Sequence, residues 1–198
     1  MFLNHLNNGF LTLFLCILAG CGLGTPVGGF DPNKPLPVII SDSSSVLVNH
    51  AIGAIVTTPD RKAVLEISQT TLNADTFIKI SPYSPLSGAS IISIDEMYSF
   101  EPAIVTTLIA GQNLLVKLRY DPKLVPSAIR ENDLRLGQLD TVNNCWKRIF
   151  LDSPSVIPGL TFHEVTTRDS SQVGLTQLGV FGVTIFNTPT CPNPPITF

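Results

Sequence analysis

The sequence is short of charged side chains, which make up 14% of its 198 residues, against about a quarter in an average globular protein. No run of Lys or Arg occurs anywhere, and the formal net charge is −3. A nucleic-acid partner is therefore not expected, because such binding depends on clustered positive charge. Stretches rich in Ala, Glu and Lys, which favour helices, are also missing.

What the chain does contain favours short strands and turns. Sixteen prolines and fourteen glycines interrupt it often, and apolar residues make up 44%. This length is enough for one domain or two small ones with a real core. Frequent turn residues between short apolar segments are typical of β proteins.

The first twenty residues carry no Asp, Glu, Lys or Arg, and residues 9–18 form an almost continuous apolar run. This run is too short to span a bilayer, which takes about 20 residues. It has the length of the apolar region of a signal peptide, about 7–15 residues. The positive start of an ordinary signal peptide is missing, because residues 1–8 contain only His5 and the terminal amine.

The run ends in Leu18-Ala19-Gly20-Cys21, which resembles the lipobox of bacterial lipoproteins. The resemblance implies peptidase cleavage between Gly20 and Cys21, diacylglycerol on the thiol of Cys21 and acylation of the new amino terminus. It therefore implies a lipid anchor in a bacterial cell envelope. The glycine at position 22, where retained lipoproteins carry Asp, implies the outer membrane if the host has one. The alternative is a buried apolar segment followed by an ordinary cysteine.

Four cysteines are present. If Cys16 leaves with the signal peptide and Cys21 is lipidated, Cys145 and Cys191 remain as a single possible pair. An oxidising compartment favours a disulfide between them. It would fasten a proline-rich tail onto the domain. The alternative is two free, buried thiols. No metal site is expected, because the cysteines and histidines lack the ligand spacing of zinc sites.

Alternation of apolar and polar residues predicts an all-β fold, an antiparallel β-sandwich of short strands. In the clearest segment, Leu114, Val116, Leu118 and Tyr120 fall on one face. Residues 180–186 are apolar on both faces, which predicts a central strand, and 127–132 is the only helical candidate. We expect a signal peptide at 1–20, a flexible Gly/Pro-rich tether at 21–45, the sandwich at 46–190 and a proline-rich tail at 191–198.

A series of strand and turn signals covers residues 50–150. It includes an apolar hairpin at 51–60, the segments 63–67, 72–80, 97–102 and 103–108, then Tyr120-Asp121-Pro122, Leu134-Arg135-Leu136 and Trp146. This series resembles the zonula-occludens/netrin-receptor domain, a β-sandwich module. The resemblance implies a protein-interaction or scaffolding role without catalysis. Some relatives cleave themselves at a His-Phe-Ser motif, but the matching residues 176–179 contain neither His nor Ser. Residues 67–70 also depart from the Ile-Pro-x-Gly pattern of that family.

The sequence shows no recognisable set of catalytic residues. His163 and Glu164 are adjacent on a predicted strand and so point to opposite faces, and no G-x-S-x-G motif occurs. The acidic residues Glu131, Asp133 and Asp140 lie in or near turns but lack the spacing of a calcium loop, so a solvated turn is the better interpretation. Trp146 is expected in the core.

Three functional hypotheses follow. The first is a lipid-anchored envelope protein that acts as a non-catalytic interaction or structural module, with the membrane and a protein as partners and no cofactor. The second is a carbohydrate- or peptide-binding protein, which predicts exposed aromatic side chains such as Tyr83, Tyr98 and Tyr120 on one face. The third is a hydrolase, which predicts His50 or His163 in a pocket beside an acid and a hydroxyl group.

Overall fold

The computed structural model describes residues 35–85, 93–110, 112, 114–167, 175–186 and 188–191. The predicted signal peptide, Gly20, Cys21 and most of the tail lie outside the described residues. The described part belongs to the unit Pro35–Phe198 and contains two 3-10 turns, Pro122–Leu124 and Glu131–Asp133, but no α-helix. None of its helices is long and apolar enough to cross a membrane. Of the predicted helical turn at 127–132, only the last two residues belong to a helix, the 3-10 turn Glu131–Asp133.

Two six-stranded sheets contain all the named strands, and they pack as a sandwich, which confirms the predicted fold class. The first sheet has the order β1-β3-β4-β7-β11-β10, and the second has the order β2-β5-β6-β12-β8-β9. Neighbouring strands are antiparallel except β1 and β3. The strands are β1 (Val38–Ile40), β2 (Val46–Val48), β3 (Ala54–Thr57), β4 (Ala63–Ile67), β5 (Thr76–Tyr83), β6 (Met97–Glu101), β7 (Leu115–Tyr120), β8 (Leu134–Asp140), β9 (Cys145–Ile149), β10 (Ser155–Val156), β11 (His163–Thr166) and β12 (Val180–Ile185).

The main core lies between the two sheets. The alternation of β7 is confirmed, because Leu114, Val116, Leu118 and Tyr120 are all buried while the residues between them are partly exposed. Opposite them, the rings of Phe100 and Phe181 meet edge to face with centroids 5.5 Å apart, an arrangement that aromatic pairs prefer. The prediction for 180–186 is also confirmed, because β12 lies between β6 and β8 near the middle of its sheet.

Strand β1 lies within the stretch 21–45 that the sequence predicts as a flexible tether. It pairs in parallel with β3, and Ile39 packs against the main core. Ser41, which directly follows β1, is fully buried. Its hydroxyl oxygen accepts the amide hydrogen of Ile80 on β5 at 3.1 Å and so connects the two sheets. The folded domain therefore begins before residue 46.

Trp146 is buried as predicted, but it belongs to a second, smaller cluster with Met97, Leu139 and Val180. On β12, Val180 belongs to this cluster while the adjacent Phe181 belongs to the main core. Successive side chains of a strand point to opposite faces of the sheet. The cluster around Trp146 therefore covers part of the outer face of the second sheet, away from the interface between the sheets.

Candidate binding groove

An aromatic ring lies exposed on the outer face of the second sheet, at the end opposite the Trp146 cluster. Ile78 and Ile80 of β5 enter the main core, so alternation turns Phe77 and Lys79 outward. Phe77 is 63% exposed, and its cross-strand partner on β2, Leu47, is 50% exposed. Phe and Leu side chains are among those most often buried in folded proteins. Two of them exposed side by side form a local apolar surface.

Beside Phe77 lies an open groove of about 430 Å³. One side is formed by β5, and the other by the segment 102–107 that follows β6. We call this feature the Phe77 groove. It is lined by both apolar and polar side chains, namely Ser45, Asp75, Thr76, Phe77, Lys79, Glu101, Pro102, Thr106 and Thr107.

Hydrogen bonds fix the two sides of the Phe77 groove relative to each other. The hydroxyl groups of Thr76 and Thr107 bond to each other across it. The amide of Asn73 donates to the carbonyl of Thr107 at 2.8 Å, and that of Ile109 donates to Thr71. The segment after β6 is thus tied to the residues before β5 at several points, which gives the groove a defined width.

Each charged side chain that lines the groove already has a partner, an ion pair for Lys79 and Glu101 and hydrogen bonds for Asp75. Lys79 lies 3.4 Å from Glu101 on the neighbouring strand. Asp75 accepts hydrogen bonds from the ring of His50 at 2.7 Å and from the backbone amide of the same residue at 3.0 Å. These bonds, the first of them above all, hold the pKa of Asp75 below its ordinary value, because they stabilise the ionised carboxylate.

The other histidine of the described residues, His163, lies on β11 in the first sheet. The ring of His163 contacts the carboxylate of Glu131, while Glu164 points away and pairs with Arg119 at 3.1 Å, as its position in the strand requires. The hydroxyl of Tyr120 donates to the same Glu131 oxygen at 2.8 Å. Burial and this hydrogen bond both raise the pKa of Tyr120. The phenol is thereby held in its neutral form, which is a poor nucleophile.

The second hypothesis predicts a cluster of exposed tyrosines, and that prediction is wrong. Tyr83 is partly buried against the Trp146 cluster. Tyr98 is 2% exposed and Tyr120 is fully buried. Both hydroxyls bond to carboxylates, that of Tyr98 to Asp60 and Glu96.

Among the described aromatic residues of this sheet's strands, Phe77 is the one that is exposed to solvent; Phe186, directly after β12, is 45% exposed, and the guanidinium of Arg135 lies over its ring. The signal for Phe77 was present in the sequence, because the alternation that places Lys79 outward places Phe77 outward as well.

The disulfide between Cys145 and Cys191 is confirmed, with their Cα atoms 5.2 Å apart. The amide of Cys191 also donates to the carbonyl of Trp146 at 2.8 Å, so the bond holds the end of the described chain against β9. The carboxylate of Asp140 lies close to the two sulfurs. It accepts hydrogen bonds from Val142 and Asn143, which form a solvated turn, while both sulfurs are used in the disulfide.

The chain was compared with models of known protein families and with curated proteins, and neither comparison finds a match. The resemblance to the zonula-occludens/netrin-receptor domain and the lipobox assignment therefore stay predictions, and a functional assignment has to rest on the residues themselves.

Proposed function

We propose that the chain is a bacterial lipoprotein, held by lipid on Cys21 in the outer membrane of a host that has one, whose β-sandwich acts as a non-catalytic interaction module. The main support for an interaction module is the exposed pair Leu47 and Phe77 beside the Phe77 groove. Apolar surface that stays exposed next to a concave feature is typical of binding sites.

Two features support export and anchoring. The residues Leu18-Ala19-Gly20-Cys21 follow an apolar run of signal-peptide length. The disulfide between Cys145 and Cys191 is of the kind that persists in oxidising compartments and is rare in the cytosol. Two or more acyl chains on Cys21 give stable attachment to a bilayer, because each buried methylene contributes about 0.8 kcal/mol.

The anchor is tested by the intact mass of the protein purified from host membranes. We expect a chain that starts at Cys21 and carries the mass of two or three acyl chains. A Cys21→Ser variant should keep its uncleaved N-terminus and carry no lipid. An unmodified chain that starts at Met1 would contradict both the anchor and the envelope location.

The interaction module is tested separately, by placing a photo-crosslinking amino acid at position 77 in the host. A matched position is Val156, which is 68% exposed on an edge strand of the other sheet. We expect illumination to give discrete crosslinked products from position 77 and none from position 156. Equal labelling from both positions would contradict a specific binding surface at Phe77.

A further inference from the structure

We propose that the Phe77 groove binds a neutral sugar unit of a glycan, with the Phe77 ring as the surface on which the sugar packs. This inference rests on the proposed function, because it names the ligand class of the same surface. It is carried by the exposure of Phe77, by the polar groups around it and by the contacts that the charged groups of the groove already make.

The exposed ring supplies the apolar half of such a site. A pyranose presents C–H groups on its faces and hydroxyl groups around its rim, so it packs its faces against aromatic rings. Phe77 is 63% exposed and lies at the side of an open groove rather than in a closed cavity. Pro102 adds a second apolar contact in the lining. A flat, rigid side chain binds at a small cost in side-chain entropy.

The polar lining supplies hydrogen bonds for the rim of a sugar. Ser45 and Thr106 carry exposed hydroxyl groups that can both donate and accept. Asp75 and Glu101 carry carboxylates, which only accept, and each retains an oxygen beyond the one that already has a partner. Sugar hydroxyl groups are donors, and this lining therefore matches them in type.

The contacts that the charged groups already make favour a neutral ligand. Glu101 forms an ion pair with Lys79, and one carboxylate oxygen of Asp75 accepts two hydrogen bonds from His50, so a charged ligand would have to displace an existing partner. An extended peptide is the competing occupant. It binds best along an exposed strand edge, through its backbone, but the Phe77 groove is lined by side chains on the face of the sheet. The neighbouring edge strand, β2, has only three residues.

The test uses the purified full chain and neutral tetrasaccharides of glucose and of N-acetylglucosamine as probes. Saturation-transfer NMR detects binding, and calorimetry measures affinity. We expect at least one probe to bind, Phe77→Ala to weaken binding about tenfold or more, and Phe77→Trp to retain it. Val156→Ala is the matched control, because it removes an exposed apolar side chain from the other sheet. All variants change exposed positions, and thermal melts verify their folding.

Two results would overturn the inference. One is the absence of saturation transfer from every neutral probe at millimolar concentration, and the other is sugar binding that Phe77→Ala leaves unchanged. A peptide that binds the Phe77 groove in place of sugars would overturn it as well. Crosslinking from position 77 to an envelope protein without any sugar binding would leave the proposed interaction module standing and remove only the sugar.

Discussion

Trp146 lies over two glycines of the second sheet, and both glycines are needed for it to do so. A Cβ atom at Gly137 would be 2.6 Å from Cε3 of the indole, and one at Gly182 would be 2.7 Å from Cγ of Met97 and 3.0 Å from Cη2 of the indole. Carbon atoms pack at about 3.5–4.0 Å. The ring, together with Met97 at Gly182, therefore occupies the space that side chains on β8 and β12 would otherwise fill.

We expect Gly137→Ala to lower the free energy of unfolding by about 1–3 kcal/mol, because the added methyl group overlaps a ring that is itself buried. Chemical denaturation measures the change. Combining Gly137→Ala with Trp146→Leu provides the control, since a smaller partner makes room for the methyl group. Strict additivity of the two effects would contradict the overlap, because residues in direct contact should show a coupling energy.

Some of these residue-level features could be predicted from the sequence and others could not. The pairing of Cys145 with Cys191 was predicted once the lipobox resemblance had set Cys16 and Cys21 aside, and the burial of Trp146 was predicted from its place in a strand. The carboxylate partners of Tyr98 and Tyr120 were not predictable. Asp60 lies 38 residues from Tyr98, and no local pattern connects residues so far apart in the chain.

Some strands could likewise be predicted from the sequence, and others could not. β7 was predictable because six residues give enough periods to separate an inner from an outer face, and β12 was predictable because its residues are apolar on both faces. β1 and β10 have three and two residues, too few to show any periodicity. β1 also follows a Gly/Pro-rich stretch, and for that reason the sequence predicts it as part of a flexible tether. The groove depends on the loop after β6, whose path along β5 is set by hydrogen bonds that the sequence does not reveal.

The participation of β1 in the sheet leads to a second prediction. Ser41→Ala should lower the free energy of unfolding by about 1–3 kcal/mol, because it leaves the amide of Ile80 buried without an acceptor. Ser44→Ala is the matched control, since Ser44 is exposed and contributes only its backbone carbonyl. Equal stability of both variants would indicate that residues before 46 are a flexible tether, as the sequence first suggested.

The disulfide leads to a third prediction at the level of elements. It joins β9 to a segment 46 residues further along the chain. Closing such a loop stabilises by about 3–4 kcal/mol in the chain-entropy description. We expect the double variant Cys145→Ser/Cys191→Ser to unfold at a lower denaturant concentration. Its free energy of unfolding should fall by up to this amount. The intact mass of the unaltered chain should rise by two hydrogen atoms on reduction. An unchanged mass would contradict the disulfide.

At the scale of the whole molecule, two buried phenols connect the sandwich to carboxylates at its surface. The hydroxyl of Tyr98 lies 2.8 Å from Glu96 and 3.0 Å from Asp60, and that of Tyr120 lies 2.8 Å from Glu131. Burial is the main reason why the pKa values of both tyrosines are raised, and the adjacent carboxylates raise them further. The folded chain therefore holds two protons that the unfolded chain releases near pH 10.

This difference makes stability fall in alkali. Below the unfolded pKa of about 10, both states hold the protons, and the contribution of the two phenols is complete. Above it, only the folded state holds them, so each further rise in pH favours unfolding. We expect the free energy of unfolding to decline steadily from about pH 10 upward. Denaturant titrations at several pH values between 8 and 12 measure that decline.

The double variant Tyr98→Phe/Tyr120→Phe separates this effect from general alkaline damage. It should be less stable than the parent at pH 8, because it loses the hydrogen bonds to the carboxylates, but its decline above pH 10 should be shallower. Absorbance of tyrosinate in a Tyr83→Phe background then reports on Tyr98 and Tyr120 alone. Their ionisation should coincide with unfolding. Tyrosinate that forms near pH 10 in a chain that is still folded would show that the two phenols are not held neutral by the fold.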